Sequence, residues 1–324
     1  MRETVTESER PPSWRKVLSR EELDSLLEIQ NWRGWFSLGL NWAIVFASFS
    51  LVAWAPNPAT IFAALLLIGG RQLGMAVIMH EAAHHTMFTN RKLNDLACNW
   101  LAAYPVWADV APYRSYHLLH HGNTGTDKDP DLGLVTPFPI TRASFRRKIW
   151  RDLSGQTGWK QFLAVLSRDL GTASKNNMRN MGMSAGQRPD VGWHKLAPVI
   201  VSNAALFGVL AGFGHPELYL LWAVAWFTSY RLVTRLRSIA EHALATDQDD
   251  PLGNTRTTLA RWWERLLLAP NRVNYHLEHH LLMTVPHYNL PRMHRLLKER
   301  GALDGALIAR GYYDVFVQAS SKAA

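Results

Sequence analysis

Cys98 is the only cysteine among 324 residues. An intramolecular disulfide is therefore excluded, and so is a cysteine-based iron–sulfur or zinc site. The start of the chain lacks the basic segment and apolar stretch of a signal peptide. Residues 1–35 are polar, with Glu3, Glu7, Glu9 and Arg10 ahead of Pro11-Pro12. No glycine-rich flavin or nicotinamide fingerprint occurs, and no flexible linker marks a second domain. Positive charge is missing at two telling places. The short breaks at 56–60 and 214–217 hold no Lys or Arg, although the chain has 35 of them and a formal charge of +9.

Those breaks separate long apolar runs. Leu38 to Ala55 is almost wholly apolar, and a second run follows from Ile61 to Met79. Leu196 to Phe213 and Leu218 to Val233 form another pair. A bilayer core takes about 20 residues of helix. The expected fold class is therefore an all-α integral membrane protein with four transmembrane helices in two hairpins, spanning 38–55, 61–79, 196–213 and 218–233. A cytosolic N-terminal segment (1–36), a membrane domain (37–295) and a cytosolic tail (296–324) follow from these limits. Glu21 to Phe36 reads as an amphipathic helix, lying on its own protein or at the membrane surface. The shorter run Leu96 to Val110 carries Pro105 and Asp109 and reads as re-entrant or interfacial. Lys160 to Leu170 is expected to be helical and 172–190 irregular.

Four spans put both termini on one side. Lys and Arg fall in 1–37, 80–195 and 231–324, with Arg71 the single exception. By the positive-inside rule these segments face the cytosol from the inner (cell) membrane. The basic charge is thus a topology signal, and no recognition motif accompanies it to suggest nucleic acid. Arg71 is a candidate substrate or headgroup contact, since a charged residue within a span is usually functional. The alternative is a helix that projects into the cytosol and sets Arg71 near the headgroups.

Nine of the 14 histidines lie in three short clusters: His80, His84 and His85; His117, His120 and His121; His276, His279 and His280. Positions i, i+3 and i+4 of a helix share about one third of its circumference, so each later triplet can point one way. His80 and His84 also share a face. Imidazole is a common ligand for iron, zinc or copper. Nine convergent imidazoles exceed what one tetrahedral metal can use, so the count asks for two ions. His80-Glu81-Ala82-Ala83-His84 alone would be the zinc-protease pattern HExxH. That reading leaves the other clusters idle. A metal carrier is disfavoured because the clusters lie outside the spans.

HxxxHH, HxxHH and HxxHH on two membrane hairpins resemble the membrane fatty acid desaturase and hydroxylase superfamily, over residues 36 to 295. Gly70-Arg71-Gln72, Arg237 to His242 and Pro286 to Pro291 agree with it. The resemblance implies that His80, His84, His85, His117, His120, His121, His242, His276, His279 and His280 hold two non-haem irons. Glu81, Glu241, Glu278, Asn274 and His287 are the expected supporting residues behind them. Asp129 and Asp131 read more simply as a turn around Pro130. His194, His215 and His294 match no box.

The class resembled activates O2 to break an unactivated C–H bond, and the expected activity is desaturation of a long acyl chain. A third box led by His276 rather than Gln argues against front-end desaturases. Carotenoid ketolases and hydroxylases, with a similar asparagine-led third box (here Asn274 to His280), come next, followed by alkane hydroxylases. Electrons must come from a separate ferredoxin- or cytochrome b5-like carrier with its reductase. Gly214-His215-Pro216-Glu217 lacks the glycines of a fused cytochrome b5 motif. Arg146, Arg147, Lys148 and Arg151 are candidates for a carrier dock, against a solvated face or headgroup contact.

Overall fold

A computed structural model describes residues 13–173, 191–245 and 250–323. Helix α1 (Arg20–Leu27) starts at a reciprocal cap, in which the Ser19 hydroxyl accepts from the Glu22 N–H and the Glu22 carboxylate accepts from the Ser19 N–H. The helix expected over 21–36 is in fact interrupted. Glu28 and Gln30 are extended, and the Tyr288 hydroxyl accepts from the Gln30 N–H (2.7 Å) while donating to the Glu28 carbonyl. Trp32, Trp35 and Phe36 therefore belong to the next helix, α2 (Asn31–Trp54).

Asn57 caps α3 (Pro58–Ala83), with Pro58 in the first turn where its missing N–H costs nothing. Helices α2 and α3 form the first hairpin, and small residues let α3 approach its neighbours. A Cβ at Gly74 would lie 2.0 Å from Asn41 Oδ1, and one at Gly69 would lie 2.3 Å from Ser229 Oγ. Gly74→Ala is therefore expected to cost about 1–3 kcal/mol through overpacking. The thermal midpoint of the purified protein reads this, and an unchanged midpoint would contradict the close crossing.

The run Leu96 to Val110 is no single element. It passes from α4 (Arg91–Cys98) through a π-helical turn (Asn99–Ala103) and a 3₁₀ turn (Tyr104–Val106) into α5 (Val110–Asn123). Helices α6 (Arg142–Leu153) and α7 (Gln156–Asp169) follow, the latter covering the helix expected near 160–170. The irregular stretch expected over 172–190 lies outside the described residues, apart from Thr172 and Ala173.

Among the described residues three helices are long and apolar enough to cross a membrane: α2, α3 and α8 (Trp193–Gly212). The fourth expected span, 218–233, is not a continuous helix. It divides into α9 (Tyr219–Phe227) and α10 (Ser229–His242) at Thr228, whose ψ is −88°. Side chains satisfy the peptide groups around this break. Thr228 Oγ1 donates to the Val224 carbonyl (2.6 Å), Arg231 Nε to the Trp226 carbonyl (3.0 Å), and Ser229 Oγ to the Leu65 carbonyl of α3 (2.6 Å). Gly158 of α7 packs against the Phe227 backbone, where a Cβ would be only 2.2 Å from the carbonyl oxygen.

Beyond α10 the chain pairs two short parallel strands, β1 (Thr257–Thr258) and β2 (Ile308–Ala309). Between and after them come α11 (Trp262–Leu267), α12 (His276–Leu281), α13 (Leu290–Glu299) and α14 (Tyr312–Ala319). The largest apolar core joins α2, α3, α9 and α10. A second core packs Leu26 of α1 on Leu277, Val285, Leu290, Met293 and Leu297, which fixes α12 and α13. Ile239 and Ala243 meet Val315 and Ala319, which docks α14 on α10. Apolar burial of this kind contributes roughly 25 cal/mol per Å², and here it brings four histidine-bearing helix ends to one place.

Candidate metal centre

Helix α3 delivers His80 and, at its C-terminal cap, His84. Helix α5 carries His117, His120 and His121; α10 ends on His242; α12 carries His276, His279 and His280. Nine of these rings converge in two groups. His80, His84, His117, His121 and His279 each offer one nitrogen, all within 4.8 Å of one another, and His120, His242, His276 and His280 do the same. In the first group His121 Nε2 lies 3.0 Å from both His117 Nε2 and His279 Nε2. In the second, His276 Nε2 lies 2.8 Å from His242 Nε2 and 3.1 Å from His280 Nε2.

The triplets do not each point at one target. Within α5 the i, i+4 pair His117 and His121 joins the first group, whereas His120 joins the second. Within α12 the pair His276 and His280 joins the second group, and His279 the first. One position on a helix turns the side chain by about 100°, which is enough to straddle two centres. His85 belongs to neither group, contrary to expectation. It lies just past the end of α3 at φ 59°, where the turn aims its ring at Arg114 (3.4 Å) and Asp95 (3.9 Å).

Burial disfavours the charged imidazole, and neighbouring rings add to the effect. His84 is pushed down to about 3 and His121 to about 2, while His117, His242, His276, His279 and His280 are held well below the ordinary range. These rings are neutral at physiological pH, the form that ligates metal. His80 Nε2 and His84 Nε2 are buried without a hydrogen-bond partner among the described residues. Such orphaned atoms are costly, and because both belong to the first group, an ion there would satisfy both. All-imidazole donor sets suit iron, zinc or copper.

Carboxylates fix several of the rings. Glu81 Oε1 meets His80 Nδ1 (3.2 Å), and its other oxygen accepts from Thr86 Oγ1 and the His287 N–H (both 3.0 Å). His287 Nε2 in turn meets Ser37 Oγ of α2 at 3.0 Å. Glu81 is thus committed to positioning, which opposes the protease reading. Asp129 is more than a turn residue. It is 7% exposed, its Oδ1 lies 2.7 Å from His120 Nδ1, and it accepts from the N–H groups of Gly125 and Asp131. Asp131 accepts from the Tyr116 hydroxyl.

Glu278 touches no clustered ring. It ties α12 down through His294 Nδ1 (2.6 Å) and Thr257 Oγ1, so His294 supports the site although it matches no box. Asn274 Nδ2 donates to the Thr258 carbonyl (3.0 Å) and fixes the approach to α12. Thr124 Oγ1, 3.3 Å from His280 Nδ1, had no sequence signal at all. Arg71 contacts none of the clustered rings. It is 3% exposed and donates to the Leu266 carbonyl, stapling α3 to α11.

The sequence model of the family described as fatty acid desaturase matches residues 54–311. The chain belongs to the fatty acid desaturase family. Its matched segment includes every histidine of the two groups. A dihydrorhizobitoxine desaturase of Bradyrhizobium elkanii is 27% identical over 72% of this chain and 66% of its own length. An sn-1 oleoyl-lipid 12-desaturase of Picosynechococcus sp. is 24% identical over 85% of this chain and 79% of its own. A beta-carotene ketolase of Paracoccus sp. is 26% identical over 79% of this chain and 91% of its own. The apolar helices of this desaturase-family chain mark it as membrane-associated, and its relatives imply an oxidoreductase.

Proposed function

We propose that this chain is a di-iron, O2-dependent desaturase that introduces a double bond into a long acyl chain. The observation that carries the reading is the convergence of nine histidines into two groups, with two orphaned donor atoms in the first. On this reading His80, His84, His117, His121 and His279 hold one iron, and His120, His242, His276 and His280 hold the other. Bound iron would supply the O2 activation needed to break an unactivated C–H bond. The chain's own part is positional. Glu81 and Asp129 orient His80 and His120.

Lipid analysis of a bacterial host expressing the chain tests the reading. New double bonds in membrane acyl chains, absent with a His279→Ala variant, are expected. No change in acyl or carotenoid composition would count against it. A carotenoid ketolase is the second reading, favoured by the match over 91% of the Paracoccus protein. New keto groups on supplied carotene would select it.

We place the chain in the cell (inner) membrane with termini and site on the cytosolic side, fed with electrons by an acidic ferredoxin or a cytochrome b5-like carrier and its reductase. A concave surface on α6, lined by Arg146, Arg147, Lys148 and Arg151 with a volume of about 600 Å³, is the proposed dock. Reversing Arg146 and Arg147 to Glu is expected to slow reduction by the carrier at least about tenfold at low salt while sparing metal content. Unchanged reduction kinetics in stopped flow would remove the dock.

A further inference from the structure

The two histidine groups are unequal: the first has five imidazole donors and the second four. Glu241 stands beside the smaller one. It immediately precedes His242 in α10 and is 2% exposed. Its Oε1 accepts from Arg237 Nε. Its Oε2 is buried and accepts no hydrogen bond among the described residues. That bare oxygen lies 3.6 Å from His276 Nε2, the same atom that approaches His242 and His280.

The other carboxylates around the centre behave differently. Both oxygens of Glu81, Asp129 and Glu278 have partners. Where Glu81 and Asp129 steady a ring they meet its Nδ1, the nitrogen facing away from the group. Glu241 instead approaches the donor nitrogen of His276, whose Nδ1 has no partner among the described residues. An orienting role would put the carboxylate on that Nδ1. An unpaired carboxylate oxygen in a buried site is expensive, and a cation is what relieves it. Carboxylate is also a good donor to iron.

We infer that Glu241 is a metal ligand, its Oε2 completing the group of His120, His242, His276 and His280 as an anionic fifth donor. The inference rests on the two-metal reading above. It makes the two sites chemically distinct: one all-imidazole and neutral in its donors, the other carrying one negative charge steadied by Arg237.

The test is Mössbauer spectroscopy of detergent-purified full chain loaded with ⁵⁷Fe(II), beside Glu241→Gln. The wild type is expected to show two unequal ferrous quadrupole doublets. In Glu241→Gln, with circular dichroism unchanged, one doublet should move and the other stay. Both doublets unchanged, or both altered alike, would overturn the assignment. If Glu241→Gln fails to fold, Glu241→Asp replaces it, and the same single doublet must move. A wild type that takes up no iron would overturn the di-iron reading itself, whereas a loaded wild type with an indifferent Gln variant removes Glu241 alone.

Discussion

His279→Ala and His120→Ala are each expected to abolish turnover and to lose metal, but from different groups. His279 is one of five donors in the first group, 3.0 Å from His121, and the only one that α12 contributes. Removing it leaves four imidazoles, none of them from α12. His120 is one of only four imidazoles in the second group, so its loss leaves three. Metal-ligand bonds are short and directional, and neither remaining set can shift to refill the position because the helices are locked by the surrounding cores. Activity falling below detection with folding intact is the expected outcome for both. A His279→Ala variant with more than about a tenth of wild-type turnover would show that the first group does not take part in chemistry.

Asp129→Ala gives the second large effect, and it separates positioning from ligation. The Asp129 carboxylate holds His120 Nδ1 at 2.7 Å and is itself fixed by the backbone N–H groups of Gly125 and Asp131. Burial raises and these contacts lower its pKa, with the net direction downward, so it stays ionised. Carboxylates in this role set the ring orientation and raise its donor strength, and losing one typically costs about 10–100-fold in metal affinity. Chelator competition should show weakened binding of one metal ion and unaltered binding of the other. Asp129→Asn, which keeps an acceptor oxygen, should recover part of the loss. Equal weakening of both ions, or of neither, would contradict the role.

How far the sequence reveals this site follows from which forces are local. The i, i+4 spacing within α5 and α12 is a property of the helix itself, so the convergence of His117 with His121 and of His276 with His280 is legible from the chain alone. The division of each triplet between two groups is not, because it depends on how α3, α5, α10 and α12 cross. His85 illustrates the limit of spacing: two residues beyond the helix, a left-handed φ of 59° turns its ring away. Asp129 resembles a turn residue beside Pro130, and only the packed structure reveals that His120 sits behind it. His242 stands outside any cluster and is found by family resemblance rather than by periodicity.

The apolar runs behave likewise. Three of the four expected spans are long helices because their hydrogen bonds are internal and their surfaces apolar throughout. The fourth has the same composition through Phe227, yet it breaks at Thr228, where Ser229 and the Gly158 contact supply tertiary partners that no window of sequence contains. Arg71 shows the same effect in reverse. Its charge suggests function, but its partner is a backbone carbonyl 195 positions away.

If the two histidine groups hold two irons, metal analysis of the detergent-purified wild-type protein finds about two irons per chain, one for each group. A single zinc that persists in His120→Ala and His279→Ala but vanishes in His84→Ala would contradict it, leaving His80, Glu81 and His84 to act alone.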